Sequence, residues 1–285
     1  MEKIFNNKLL VITILVSLGI ISSFSLPPYN YFFLNFFSLP FLFYVFVKNV
    51  NKNIINSFWV GWFFGFGYFF SSLYWISNSL KFDANFKNLI ILSIVLIPSL
   101  LSVFYGLFSL LLKILKIEMN FSSILIFSLT LSVIEYLRGT VFGGFPWNFI
   151  SFSLTEFNSS LQILNLIGTY SLNLLVITFY CLPIIVFFKI SIIKKFSFLL
   201  FAISILLLNS YYGNYRIEKF EQVEKKQIYP PIKLVSPKFK IERFFDDEPI
   251  DNKINELIEI SYPISKDLLL IFPEGMLNTN ELNKI

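Results

Sequence analysis

Long apolar runs separated by short polar segments fill the first three quarters of the chain. They extend from Leu9 to Leu26, Tyr31 to Val47, Ser57 to Leu80, Leu89 to Leu112, Phe121 to Leu137, Leu161 to Phe188 and Phe196 to Tyr212. Each is long enough to cross about 30 Å of hydrocarbon as a helix, in which a segment satisfies its own backbone hydrogen bonds in lipid. Pro40, Pro98 and Pro183 fall inside runs and predict kinks. The expected fold of residues 1–212 is a polytopic α-helical membrane bundle of about seven spans. Lys3 and Lys8 ahead of the first run would also suit a signal peptide, but no small-x-small cleavage site follows and further apolar runs do.

Beyond Tyr212 the pattern changes. A charged connector from Tyr215 to Gln227 leads through Pro230-Pro231 into "IKLV", Ile232 to Val235, which reads as a short strand. Asp247, Glu248 and Pro249 mark an acidic helix start; Ile250, Ile254, Leu257, Ile258 and Ser261 share one helical face, and Pro263 stops it. "DLLLIFPEG", Asp267 to Gly275, follows. Its apolar residues Leu268 to Phe272 do not alternate with polar ones, as in a strand buried on both faces of a parallel sheet. Residues 213–285 thus spell β-α-β. Two strands and one helix do not close a core, so a partner or further chain is expected to cover the sheet edges.

Composition agrees with the division. The chain is 55% hydrophobic with 37 Phe, while charge concentrates in the tail: residues 1–212 hold 12 Lys/Arg and 5 Asp/Glu, residues 213–285 hold 11 and 13. With the N-terminus inside, the inner segments carry nine lysines (Lys3, Lys8, Lys48, Lys52, Lys113, Lys116, Lys189, Lys194, Lys195), and the outer ones carry Lys81, Lys87 and Arg138. The positive-inside rule favours this orientation and sends the tail outside the cytoplasm. Histidine is absent, which excludes a Ser-His-Asp or Cys-His arrangement and any His-ligated metal within the chain. Cys181, the lone cysteine, lies inside the apolar "LLVITFYCLP" and reads as packing.

Candidate chemistry gathers in a few places. Glu274 lies just past the last strand, where ligands collect in open α/β sheets, and is either a general base or a solvated loop acid. Glu135 and Arg138, spaced i, i+3 at the end of the fifth run, can pair on one helix face, either as an interfacial ion pair or as a contact to a phospholipid head group. The loop that follows, "RGTVFGGFPWNFISFSL", reads as an aromatic belt or as a structured loop shaping a lipid-facing pocket, since Gly143-Gly144 and Pro146 fix backbone geometry that a belt does not need. Asn165, Thr169 and Asn173 recur every four residues and predict one polar stripe for interhelical hydrogen bonds.

The sequence resembles the bacterial apolipoprotein N-acyltransferases, which join a membrane bundle to an extracytoplasmic α/β nitrilase-like domain. The likeness lies, in family order, in "FSLPPYNYFFLNFFSLPFLF", "GWFFGFGYFFSSLYWI", "EYLRGTVFGGFPWNFISFSL", "LNLIGTYSLNLLVI" and "LLLIFPEG". It implies that residues 213–285 are the incomplete N-terminal part of the nitrilase-like domain. It also implies an inner-membrane enzyme that moves an acyl chain from a phospholipid to the α-amine of a lipoprotein's diacylglyceryl-cysteine. The family uses a Glu, Lys, Cys set; Glu274 matches the base, and the Lys and Cys have no counterpart here, Lys284 being too close to Glu274 and Cys181 in the wrong domain. The chain is therefore expected to be an N-terminal portion, truncated or split, and inactive alone.

Phe145, Pro146, Trp147 and Asn148 of the loop, with Glu135, Arg138 and Phe245, are the expected lipid- or pocket-lining residues; Phe244 or Phe245 stands where the family usually has Trp. Implied partners are the phospholipid donor, the apolipoprotein acceptor, the membrane and a possible second chain completing the domain. No metal or cofactor is implied, and the near-balanced charge of the outer tail argues against nucleic acid. Two rival readings are a transporter or lipid-binding protein whose tail docks a partner, and a relative acting on another amphiphile.

Overall fold

The structure, a computed structural model, describes residues 7–49, 54–81, 84–223, 230–237, 249–262 and 268–273. The chain divides into two compact units, Met1–Glu221 and Gln222–Ile285.

Every apolar run forms a helix in the first unit: α1 Lys8–Ser23, α2 Asn35–Asn49, α3 Ile54–Leu73, α4 Ile90–Ile114, α5 Phe121–Thr140, α6 Leu164–Cys181 and α7 Ile192–Glu221. Among the described residues four segments are long and apolar enough to cross a membrane, Asn85–Ile114, Phe121–Gly143, Leu164–Phe187 and Ile192–Glu221, and Lys8–Ser23 and Phe32–Lys48 are shorter apolar helices. At 1.5 Å per residue α1 spans about 24 Å. It stops at Ser23 because the next residues turn: Ser22 Oγ donates to Asn35 Oδ1 at 2.7 Å and Asn35 Nδ2 donates to Ser25 Oγ at 2.8 Å, a buried polar clasp between α1 and α2. The third run ends its α-helix at Leu73 and continues as tighter 3₁₀ turns, Tyr74–Lys81.

The core is aromatic. Phe127 of α5 takes Phe43 of α2 edge-on at 5.5 Å and Phe108 of α4 at 5.1 Å, and Phe46 meets Phe108 at 5.4 Å. Such edge-to-face pairs add about 0.5–1.5 kcal/mol each beyond their buried area. α3 packs on both α1 and α4. Its approach to α1 depends on glycine: a Cβ on Gly67 would run into the Val16 carbonyl, and one on Gly19 into the backbone of Phe64 and Tyr68. Small residues at such crossings allow close packing in bundles that gain nothing from expelling lipid.

α6 departs from the expected continuous helix. Gly168 has φ 74° and ψ 173°, which breaks the helix between Asn165 and Thr169. The predicted single polar stripe is thereby divided. Asn165 is exposed before the break, whereas Asn173 is buried after it and accepts from the Ser151 amide at 2.9 Å. Pro183, placed early in a 3₁₀ turn Leu182–Phe187, ends α6 at Cys181 rather than kinking it; the Cys181 side chain is buried. α7 is 30 residues long, continues past Tyr212 to Glu221, and buries none of its most apolar window. It meets the bundle through Phe198, stacked on Phe121 at 4.2 Å, and through Asn209, whose Nδ2 donates to the Ser160 carbonyl at 3.2 Å.

In the second unit β1 Ile232–Leu234 and β2 Leu269–Ile271 pair in parallel, Ile232 opposite Leu269, with α8 Ile250–Ser261 between them in sequence. Lys233 Nζ donates to the carbonyls of Ser261 at 2.7 Å and Tyr262 at 3.1 Å, placing a cation on the C-terminal end of α8. The β-α-β order is as expected. The expected burial on both faces is not: Leu269 and Ile271 remain 48% and 43% exposed, because two strands and one helix, among the described residues, leave alternate positions uncovered.

Candidate functional site

The polar centre of the bundle is built on one turn of α5. Glu135 and Arg138, three residues apart on one face, form an ion pair at 3.1 Å with both side chains fully buried. The remaining valences of each are largely taken up. Glu135 Oε1 accepts from the Tyr105 hydroxyl of α4 at 2.8 Å. Arg138 Nη1 donates to two loop carbonyls, Phe145 at 2.7 Å and Trp147 at 2.9 Å. Its guanidinium lies over the rings of Phe69 at 5.2 Å and Phe149 at 5.0 Å. A planar fork of donors suits this task; a lysine ammonium would not reach a carboxylate and two divergent carbonyls in one geometry.

That arginine organises the loop. Gly143 and Gly144 take φ of 85° and 75°, which lets the chain reverse after α5; a Cβ on Gly144 would run into the Gly139 carbonyl. The Phe145 amide then donates back to the Arg138 carbonyl at 2.8 Å. Asn148, at φ 57°, presents its carbonyl to the Tyr68 hydroxyl of α3 at 2.9 Å. The loop is therefore a structured element with its carbonyls held from below by Arg138 and Tyr68.

The predicted site residues thus fall into two groups. Glu135 and Arg138 are interior, with Phe145 and Asn148 half-buried above them, while Pro146 and Trp147 face outward. Trp147, 48% exposed, stacks on Trp75 at 5.2 Å with 17° between the rings. Glu274 and Phe245 lie outside the described residues. Among the described residues no three His, Cys, Asp or Glu side chains converge as a metal site would need.

Sequence reasoning did not single out Tyr68, Tyr105 and Trp75, which complete the network, nor Phe142. Phe142 is 98% exposed and holds φ 57°, a conformation that costs a bulky residue roughly 1–2 kcal/mol. The two glycines beside it are the signal for a tight reversal; nothing in the spacing marks Tyr105 or Trp75, which sit on other elements.

Comparison with known proteins bears on what this arrangement does. The family described as "Apolipoprotein N-acyltransferase N-terminal domain" matches residues 18–182, a stretch containing α2 to α6 and the whole Arg138 network. Relatives named apolipoprotein N-acyltransferase include that of Allorhizobium ampelinum, 28% identical over 176 residues (59% of this chain, 33% of the relative). That of Agrobacterium fabrum is 30% identical over 179 residues (60% and 34%), and that of Rhizobium etli 30% over 176 residues (59% and 33%). The matched stretch spans about a third of the length of these relatives.

Proposed function

Because the chain belongs to the apolipoprotein N-acyltransferase family, which it enters through that family's N-terminal domain, we propose that it serves phospholipid-dependent N-acylation of lipoproteins at a bacterial inner membrane. The observation that carries the reading is the Arg138 network, a rigid, buried support for an aromatic loop, lying wholly within the matched stretch. In this reading the bundle has about seven spans with the N-terminus cytoplasmic, the β-α-β unit begins a nitrilase-like domain outside, and Phe145 to Asn148 line the lipid's way in.

The chemistry assigned to Glu274 is proton transfer. In the first half-reaction a cysteine thiol loses its proton to the Glu274 carboxylate and attacks the phospholipid ester carbonyl. The thioester forms and the glycerol oxygen leaves with the proton, giving a lysophospholipid. In the second, the α-amine of the diacylglyceryl-cysteine attacks the thioester, Glu274 takes the amine proton and the thiolate is released and reprotonated. A lysine would stabilise each tetrahedral oxyanion. Cys181 is buried in the bundle and is not that thiol. Neither the thiol nor the lysine is assigned to a residue of this sequence, and in this reading residues 1–285 by themselves do not turn over. An assay with labelled phospholipid and a diacylglyceryl-peptide tests this: no transfer is expected from purified residues 1–285, and robust transfer without any other polypeptide would overturn the assignment.

A further inference from the structure

Between α6 and α7, roofed by the start of α5, lies a cavity of about 340 Å³. Val176 and Phe179 form one wall, Ala202 and Ile205 the other. Its polar end is closed by Ser160 and Asn209. Asn209 spends its amide nitrogen on the Ser160 carbonyl, and its Oδ1 is buried with no hydrogen-bond partner.

We propose that this cavity holds one acyl chain of a resident bilayer lipid, whose polar region donates a hydrogen bond to Asn209 Oδ1. Four observations converge on that occupant. All three bounding helices belong to segments long and apolar enough to cross a membrane, so hydrocarbon is the medium beside them. The volume is about twice that of a ~150 Å³ apolar cavity that binds benzene, enough for a chain of about a dozen carbons, and such a lining keeps water out because water needs two to four polar partners. Ala202 supplies the one short side chain of the α7 wall, where a larger one would fill the space. The unpaired oxygen at one end asks for a donor, which the ammonium of phosphatidylethanolamine or a hydroxyl of phosphatidylglycerol carries and phosphatidylcholine lacks. α7 meets the bundle at the Phe121–Phe198 stack, at the Asn209–Ser160 hydrogen bond, at Gly213 against the Ser159 backbone and at Lys195, whose Nζ donates to the Val186 carbonyl, and the lipid fills the space between these contacts. Neither Glu274 nor the Arg138 loop takes part, so the inference stands apart from the acyl-transfer reading.

The test uses the full chain in nanodiscs containing phosphatidylethanolamine with a photoactivatable group at mid-chain, together with native mass spectrometry after detergent washing. One lipid per protein is expected to survive washing, with crosslinks on residues 172–182 and 198–209. Ala202→Trp should cut retention at least tenfold, while Leu207→Trp, on a residue 66% exposed on the same helix, should leave it unchanged. Asn209→Leu should keep the lipid but abolish a roughly fivefold preference for phosphatidylethanolamine over phosphatidylcholine, the size expected for one hydrogen bond. Wild type that washes free of lipid, equal retention by a folded Ala202→Trp, or crosslinks confined to the outward face at Leu207 and Leu208 would each overturn the proposal. Should Ala202→Trp fail to fold, the wild-type crosslink map decides.

Discussion

Replacing Arg138 by glutamine tests the loop's foundation most directly. The change removes the guanidinium donors to the Phe145 and Trp147 carbonyls and leaves the Glu135 carboxylate buried without its cation. Breaking one partner out of a buried pair costs about 3–5 kcal/mol, largely because the surviving charge stays desolvated. Each orphaned carbonyl adds about 1–3 kcal/mol where water cannot reach it, but Trp147 is half-exposed, so much of that part is recovered. A net loss of about 4 kcal/mol follows, which at about 2–4 °C per kcal/mol for a domain of this size lowers the melting temperature by roughly 8–16 °C. The double change Glu135→Gln with Arg138→Gln removes the stranded charge and should recover about half of the loss. It should not restore the loop, whose carbonyls stay unheld. Thermal unfolding in detergent gives the first quantity; tryptophan emission from the Trp75–Trp147 stack and protease nicking of residues 141–148 give the second. A single variant melting within 2 °C of wild type (about 1 kcal/mol) with unchanged emission, or a double variant less stable than the single, would refute the reasoning.

Further predictions probe other links. In an active form supplying the cysteine and lysine, Glu274→Gln should slow acyl-enzyme formation by about 10²–10⁴-fold, the usual share of a general base; a rate within threefold of wild type (about 0.7 kcal/mol) would remove Glu274 from the chemistry. Gly67→Ala, which drives a methyl into the Val16 carbonyl, should abolish folded yield or lower the melting temperature far more than Gly168→Ala. At Gly168 the space is open and only the backbone conformation, φ 74° with ψ 173°, opposes a side chain, so the cost is about 1–3 kcal/mol. Phe142→Gly should raise the melting temperature by about 2–4 °C through relief of its left-handed backbone; a fall would mean that the exposed ring makes contacts worth more than the strain.

What was legible in the sequence was what periodicity and spacing carry. Apolar runs located the seven longest helices of the first unit among the described residues, an apolar pair of short segments around an amphipathic one located the parallel β-α-β unit, and the i, i+3 spacing located the Glu135–Arg138 pair. Fine boundaries were set by forces that periodicity does not report. Leu73 ends α3 as the chain tightens into 3₁₀ turns, Pro183 truncates α6, and Gly168 interrupts it although its neighbours are as apolar as those of any continuous helix. The candidate site was half visible. Its α5 residues and loop share one stretch of sequence, but Tyr105, Tyr68 and Trp75 come from α4, α3 and the turn after α3, and no spacing rule joins residues that only packing brings together.

The network also answers why a charged pair is kept at this place instead of a well-packed apolar one, which buried pairs seldom outperform in stability. The segment Phe121–Gly143 is long and apolar enough to cross a membrane, and the non-helical stretch from Gly144 to Phe149 begins at its end. Irregular backbone beside lipid is tolerated only where protein groups satisfy its polar atoms. Arg138 satisfies two of those carbonyls, Tyr68 satisfies a third, and Glu135 with Tyr105 holds the arginine itself. An apolar replacement for the pair would pack the helices and leave the loop without donors. The pair is thus better explained by the loop it permits than by the stability it adds, and that loop carries the exposed Trp147 and Phe142.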